Sequence, residues 1–117
     1  MPGDRRILLV EDDVLIGMML VDMFDVLDLP EPAQATSNEE ALAFIAAEPF
    51  AGALVDINLG DEKGWPIADA LAAKNIPFAF TSGGGDVIPP EHLHRKLITK
   101  PFRISDIEAA LDEFAAR

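Results

Sequence analysis

With 117 residues, half of them hydrophobic, the chain has apolar material for one sizeable core but not for two, so a single domain over residues 1–117 is expected. Nine Lys and Arg against 21 Asp and Glu give a formal net charge of −12, which repels phosphate backbones and anionic lipid and argues against direct nucleic-acid binding. The absence of cysteine excludes a disulfide framework and a thiolate metal site, and residues 1–6 lead into only four apolar residues, too few for a signal-peptide core or a membrane span; a soluble cytoplasmic protein is the expectation.

In chain order, residues 7–10 form an apolar run of the kind buried on both faces of a parallel sheet, and the run stops on Glu11, Asp12 and Asp13. Over residues 14–29, Leu15, Met18, Met19, Phe24, Val26 and Leu27 recur at helical spacing, with Asp22, Asp25 and Asp28 toward water, until Pro30 and Pro32 end the helix. This helix is apolar nearly all round, which leaves part of it for a partner or dimer face; a monomer or weak dimer is expected. Residues 33–36 read as a short, weak strand. Ser37, with Glu40 three residues on, reads as a capping box opening a helix through Leu42, Phe44 and Ile45 to Glu48, closed by Pro49.

Ala53, Leu54 and Val55 make the next buried run, and it ends abruptly on Asp56. Asn58, Gly60 and Gly64 mark a loop that tolerates unusual backbone angles, followed by a helix over residues 65–74 with Pro66 at an allowed first-turn position. Residues 76–80 form a fourth strand ending in Thr81 and Ser82. Gly83, Gly84, Gly85 and Asp86 give a flexible loop, and Pro89-Pro90 permits at most a short helix over residues 91–96. Residues 97–99 are a fifth strand, ending on Lys100 and Pro101. Ser105 with Glu108 reads as the cap of a last helix whose Ile107, Leu111 and Phe114 share one face.

Five repetitions of strand then helix imply an α/β fold: a five-stranded parallel sheet with right-handed crossovers, doubly wound, its fourth helix shortened or mobile. All strand ends then lie on one edge, where ligands of open α/β sheets bind. That edge gathers Glu11 and Asp12, Asp56, a hydroxyl from Thr81 or Ser82, and Lys100. Carboxylates meeting there repel one another unless a cation sits between them, and magnesium suits Asp12 and Asp56 with the carbonyl of Asn58, Glu11 acting through a bound water. Lys100 is a compact charge able to pair first with Asp56 and later with phosphate oxygens. A carboxylate held by a metal and a lysine can attack phosphorus to give an aspartyl phosphate. Because side chains alternate along a strand, Thr81 and Ser82 cannot both point at that site. The three glycines lack the ending of a P-loop and are read as a hinge.

These residues resemble the receiver domains of two-component response regulators over nearly the whole chain. The resemblance is carried by Ile7-Leu-Leu-Val-Glu-Asp-Asp13, by Leu54-Val-Asp56-x-Asn58 with Gly64 beyond it, and by Lys100-Pro101-Phe102. It implies a flavodoxin-like fold, Asp56 as phosphoacceptor, Glu11 and Asp12 in the acidic Mg2+ pocket, Asn58 giving its carbonyl to the metal, Lys100 contacting phosphate, and a cis Lys100–Pro101 bond. It favours Ser82, five residues after Pro77 and just before Gly83, over Thr81 as the phosphate-contacting hydroxyl. Three departures stand out: Leu97 where an aromatic switch residue is common, Gly60 where proline is common, and the short segment between Ser82 and Lys100. Residues 76–83 are partly similar to an atypical stand-alone subgroup with a Phe-Ala-Thr-Gly-like fourth strand.

The function this implies is a single-domain response regulator in a phosphorelay. It would not be an enzyme in the ordinary sense: it accepts a phosphoryl group from a histidine kinase or histidine phosphotransfer protein onto Asp56, loses it by hydrolysis, and acts by protein contact or phosphate shuttling, since the chain ends directly after its last helix. A pseudo-receiver that only binds proteins is the alternative, disfavoured because such a module has no need of mutually repelling acids. A magnesium-dependent phosphatase would need a second general acid, and neither His92 nor His94 is obviously placed for it. Trp65, close to the same edge, is a candidate fluorescence reporter of metal binding.

Overall fold

A computed structural model describes residues 5–116; residues 1–4, the start of the segment judged too short for a signal peptide, lie outside the described residues. The elements follow in the order β1 (Arg6–Val10), α1 (Val14–Val26), β2 (Ala33–Ala35), α2 (Asn38–Ala47), β3 (Phe50–Asp56), β4 (Asn58–Leu59), β5 (Glu62–Lys63), α3 (Trp65–Ala73), β6 (Phe78–Ser82), β7 (Lys96–Thr99) and α4 (Ile104–Ala115). Between β6 and β7 stands one 3₁₀ turn, Pro90–His92. Among the described residues, no helix is long and apolar enough to cross a membrane.

Five strands pair in parallel in the order β2-β1-β3-β6-β7. The central strand β3 is buried at all seven positions, as expected of an apolar run covered on both sides. Alternation along each strand divides the core in two. Leu8, Val10, Val55 and Phe80 pack with Ala41 and Ile45 of α2 and with Ile67 and Leu71 of α3. Leu9, Leu54 and Ala79 pack on the opposite face with Leu20 and Phe24 of α1 and with Ile107 and Phe114 of α4. Each of these Leu, Ile and Phe side chains contributes about 1.5–3 kcal/mol by leaving water.

Helix ends depart locally from the expected boundaries. The first helix stops at Val26, because Asp28 turns left-handed (φ 58°) and the Leu29 amide donates back to the Phe24 carbonyl at 3.0 Å. Asn75 (φ 58°) closes α3 in the same way, with the Ile76 amide bonded to the Leu71 carbonyl. At α2, Ser37 Oγ accepts from the Glu40 amide as expected, yet the Glu40 carboxylate takes the Thr36 amide and hydroxyl, both at 2.7 Å. Ser105 is not the cap of α4: the helix begins at Ile104, and Asp106 accepts from the Arg103 amide at 3.0 Å. Phe102, just before this start, is buried in the core, and the cap stands two residues earlier than expected.

Three other segments differ. The stretch read as a plain loop after Asp56 holds a small antiparallel hairpin, β4 with β5, pairing Asn58 with Lys63. The fourth strand starts at Phe78, after Pro77, whose ring nitrogen has no hydrogen to donate, and it continues through Thr81 and Ser82. The fourth crossover holds one 3₁₀ turn, in keeping with at most a short helix over residues 91–96, but β7 begins already at Lys96.

Candidate functional site

Parallel strands deliver their C-terminal ends to one edge, and four of them bring polar residues there. Glu11 follows β1, Asp56 is the last residue of β3, Thr81 and Ser82 end β6, and Lys100 follows β7 and precedes a cis Lys100–Pro101 bond. Asp56 is 2% exposed and Glu11 6%. Lys100 Nζ donates to Asp56 Oδ2 at 2.8 Å and lies 3.1 Å from Glu11 Oε1 as an ion pair. The other Asp56 oxygen, Oδ1, accepts from the Asn58 amide at 3.1 Å. Asp12 stays exposed, its carboxylate accepting the Gly60 amide at 2.7 Å, which ties the β1 end to the hairpin turn where Gly60 has φ 61°.

Carboxylate oxygens of Glu11, Asp12 and Asp56 lie within 4.8 Å of one another. Burial, followed by the neighbouring Asp56 carboxylate, pushes the Glu11 carboxyl up to about 7 against the opposing Asp13 amide. Burial disfavours the charged form of Lys100, but the Asp56 and Glu11 carboxylates more than offset it and hold the ammonium above its usual pKa. Apart from Lys100, Glu11 Oε1 is buried without a hydrogen-bond partner. An all-oxygen donor set with an under-satisfied buried carboxylate fits a hard divalent cation such as magnesium.

The position of Asp56 depends on a close backbone approach at Gly64, the cap of α3. A Cβ at Gly64 would stand 2.8 Å from the Asp56 carbonyl oxygen and 3.1 Å from Val55 Cγ1. The Gly64 amide also donates to the Ile57 carbonyl at 2.9 Å.

Thr81 and Ser82 occupy opposite faces of β6. Thr81 pairs with Asp56 across the sheet, and its carbonyl accepts from the Ile57 amide at 3.0 Å. Ser82 shares the side of Phe78 and Phe80, its hydroxyl donates to Asp86 Oδ2, and its Oγ accepts the Gly84 amide at 2.9 Å. Asp86 was legible only as part of a flexible loop, yet its other oxygen accepts from Asn58 Nδ2 at 3.0 Å and lies 3.5 Å from Lys63 Nζ. The Ser82 hydroxyl, then the Asn58 amide and Lys63, hold the Asp86 carboxyl below its ordinary pKa. Lys63 also donates to Asn58 Oδ1. Neither Asp86 nor Lys63 had a sequence signal of its own.

No protein-family model and no curated protein matches the chain. Solved structures do. SdrG from Sphingomonas melonis Fr1 is 38% identical and superposes with a TM-score of 0.84 over 98% of this chain and 99% of that one. The BeF3-activated conformation of SdrG from Pseudomonas melonis Fr1 is 39% identical, with a TM-score of 0.79 over 95% and 98% of the two chains. The REC domain of the PhyR response regulator from Erythrobacter litoralis is 27% identical, with a TM-score of 0.77 over 97% and 92%. The chain belongs to the response regulator receiver family. As a receiver domain it has a response-regulator role in two-component signalling. At 15% identity, the receiver domain of the sensor histidine kinase PA1611 from Pseudomonas aeruginosa PAO1 shares the fold, with a TM-score of 0.80 over 97% and 98%, and holds a magnesium ion in its active site cleft. The receiver fold of the present chain keeps its five parallel strands, while the fourth crossover is reduced to the 3₁₀ turn.

Proposed function

We propose that this receiver accepts a phosphoryl group on Asp56 from a phosphohistidine of a histidine kinase or histidine phosphotransfer protein. The observation that carries this reading is the setting of Asp56: a buried carboxylate at the end of the central strand, fixed by Lys100 and by the Asn58 amide, with Glu11 and Asp12 beside it. In the transfer, an Asp56 oxygen attacks phosphorus as the phosphorus–nitrogen bond to the donor imidazole breaks, and the ring keeps the bonding electron pair. Hydrolysis later returns the free carboxylate and inorganic phosphate, so the protein is a phosphoacceptor rather than an enzyme with turnover of its own.

Lys100 orients Asp56 before transfer and then follows charge onto a phosphoryl oxygen, a motion open to a long side chain with a single charged tip. The Asn58 amide holds the second carboxylate oxygen, which leaves the first for attack. Glu11, Asp12 and Asp56, with the Asn58 carbonyl, would hold magnesium. When bound, that ion offsets the negative charge shared by the carboxylates and the incoming phosphoryl oxygens. The Ser82 hydroxyl is the group we assign to the phosphoryl oxygen, in preference to Thr81, because it already serves an anion, Asp86, at this edge.

Intact-protein mass after incubation with acetyl phosphate and Mg2+ tests the reading directly. One phosphoryl adduct is expected in wild type and none in Asp56→Asn or without Mg2+. A wild type that stays unlabelled under conditions that label another receiver would instead favour the pure protein-binding module.

A further inference from the structure

Asp86 raises a question that the phosphoacceptor chemistry leaves open: why an acid should take the donors of Ser82 and Asn58, at the strand ends beside Asp56. Its two oxygens take the Ser82 hydroxyl and the Asn58 side-chain amide, with Lys63 at 3.5 Å. Asn58 is the residue whose amide holds Asp56, and Ser82 directly follows the register partner of Asp56. The carboxylate of Asp86 therefore spans the two strand ends that flank the reacting group.

The loop that carries Asp86 has little else to hold it. Side chains added at Gly83, Gly84 or Gly85 would meet nothing within 4 Å, and Gly84 (φ 107°) and Gly85 (φ 77°) take left-handed conformations that a larger residue resists. Val87 is 88% exposed. Beyond it the chain is pinned again, because the buried His92 has its Nε2 2.8 Å from Asp69 Oδ1 and its ring against Phe78 and Phe80. Residues 83–87 are thus tied down by the contacts at Ser82 and Asn58.

We propose that Asp86 is a placeholder for the phosphoryl group: it occupies the Ser82 hydroxyl in the resting protein, and phosphorylation of Asp56 expels it and releases residues 83–87. The proposal rests on the phosphoacceptor reading of Asp56. Its physical basis is a matter of counting. A serine hydroxyl has one proton, so Ser82 cannot donate to Asp86 and to a phosphoryl oxygen at once. A phosphoryl group carries about −1.5 to −2 charges where the Asp56 carboxylate it consumes carried one, so the edge near Asp86 becomes more negative, which weakens the Asp86 contacts further. When Ser82 Oγ turns toward the phosphoryl group, the Gly84 amide loses its acceptor as well. The Asn58 amide and Lys63, freed from Asp86, become two further donors at the same edge.

The test combines intact-protein mass with amide hydrogen exchange of residues 83–87 by NMR, in wild type, Asp86→Ala and Asp86→Asn, with and without acetyl phosphate and Mg2+. In wild type, phosphorylation is expected to speed exchange at the Gly84 amide by up to about tenfold, the effect of losing one ordinary hydrogen bond. Unphosphorylated Asp86→Ala is expected to show that faster exchange already and to label on Asp56 several-fold faster than wild type. Asp86→Asn, which keeps an acceptor but not the charge, is expected to fall between them, and its near-identical shape guards against misfolding of the alanine variant. Phosphorylated wild type that keeps Gly84 protected overturns the proposal, as does an Asp86→Ala variant with unchanged exchange and labelling. An Asp56 adduct with a silent loop overturns only the placeholder, whereas no adduct in any variant overturns the phosphoacceptor reading and the competition with it.

Discussion

Gly64→Ala isolates a local steric clash and should move Asp56. At Gly64 the backbone sits at φ −77°, ψ 14°, a conformation alanine adopts without strain, so any cost comes from the added methyl alone. That methyl would stand 2.8 Å from the Asp56 carbonyl oxygen and 3.1 Å from Val55 Cγ1. The carbonyl belongs to the central strand and cannot rotate aside, while the Gly64 amide is bonded to Ile57, so the hairpin and the end of β3 must separate by a few tenths of an ångström. Overpacking of this kind costs about 1–3 kcal/mol, offset by about 0.4–1 kcal/mol from the smaller conformational freedom of unfolded alanine. A net loss of roughly 1–2 kcal/mol is expected in urea unfolding. Because the displaced atoms carry the Asp56 side chain, labelling by acetyl phosphate should also slow by about tenfold. A variant as stable as wild type, labelling at the wild-type rate, would refute the claim that this approach positions Asp56.

The acidic pocket should bind Mg2+ in a pH-dependent way. With its pKa raised to about 7 by burial and by Asp56, Glu11 holds a proton in the metal-free folded state where the unfolded chain, with an ordinary carboxyl near 4.5, does not. The folded state then binds more protons between those values, so its metal-free stability falls as pH rises through that window. The metal needs the deprotonated carboxylate, so Mg2+ affinity should drop by about tenfold per pH unit below 7 and level off above it. Calorimetric titration from pH 5.5 to 8.5 reads this, and a flat affinity would show that Glu11 does not take part. The two hydroxyls should separate cleanly. Ser82→Ala should abolish the response of the Gly84 amide to BeF3 and Mg2+, whereas Thr81→Ala should preserve it, its cost confined to stability. The reverse pattern would move the assignment to Thr81.

Much of this protein is written locally. Apolar runs that stop on Glu11, Asp56 and Lys100 identify strand ends, and the strict alternation of strand and helix implies a parallel sheet, which puts those ends on one edge. Ser37, Pro66 and the prolines around residue 90 mark boundaries because each acts on its own backbone neighbours. Where a local signal failed, the tertiary fold had placed the element differently. Ser105 and Glu108 had the spacing of a cap, but with Phe102 buried in the core the cap stands two residues earlier, at Arg103.

Tertiary structure decided what depends on distance between residues remote in sequence. The strand order, the 2.8 Å bond between Asp56 and Lys100 across 44 residues, and the pairing of Asp86 with Asn58 across 28 follow from packing of the two core layers, which no local spacing encodes. Asp86 shows the reason most clearly. Three glycines tell the chain to be flexible and name no partner; only when β3 and β6 lie side by side do Ser82 and Asn58 supply the donors that hold this carboxylate in place.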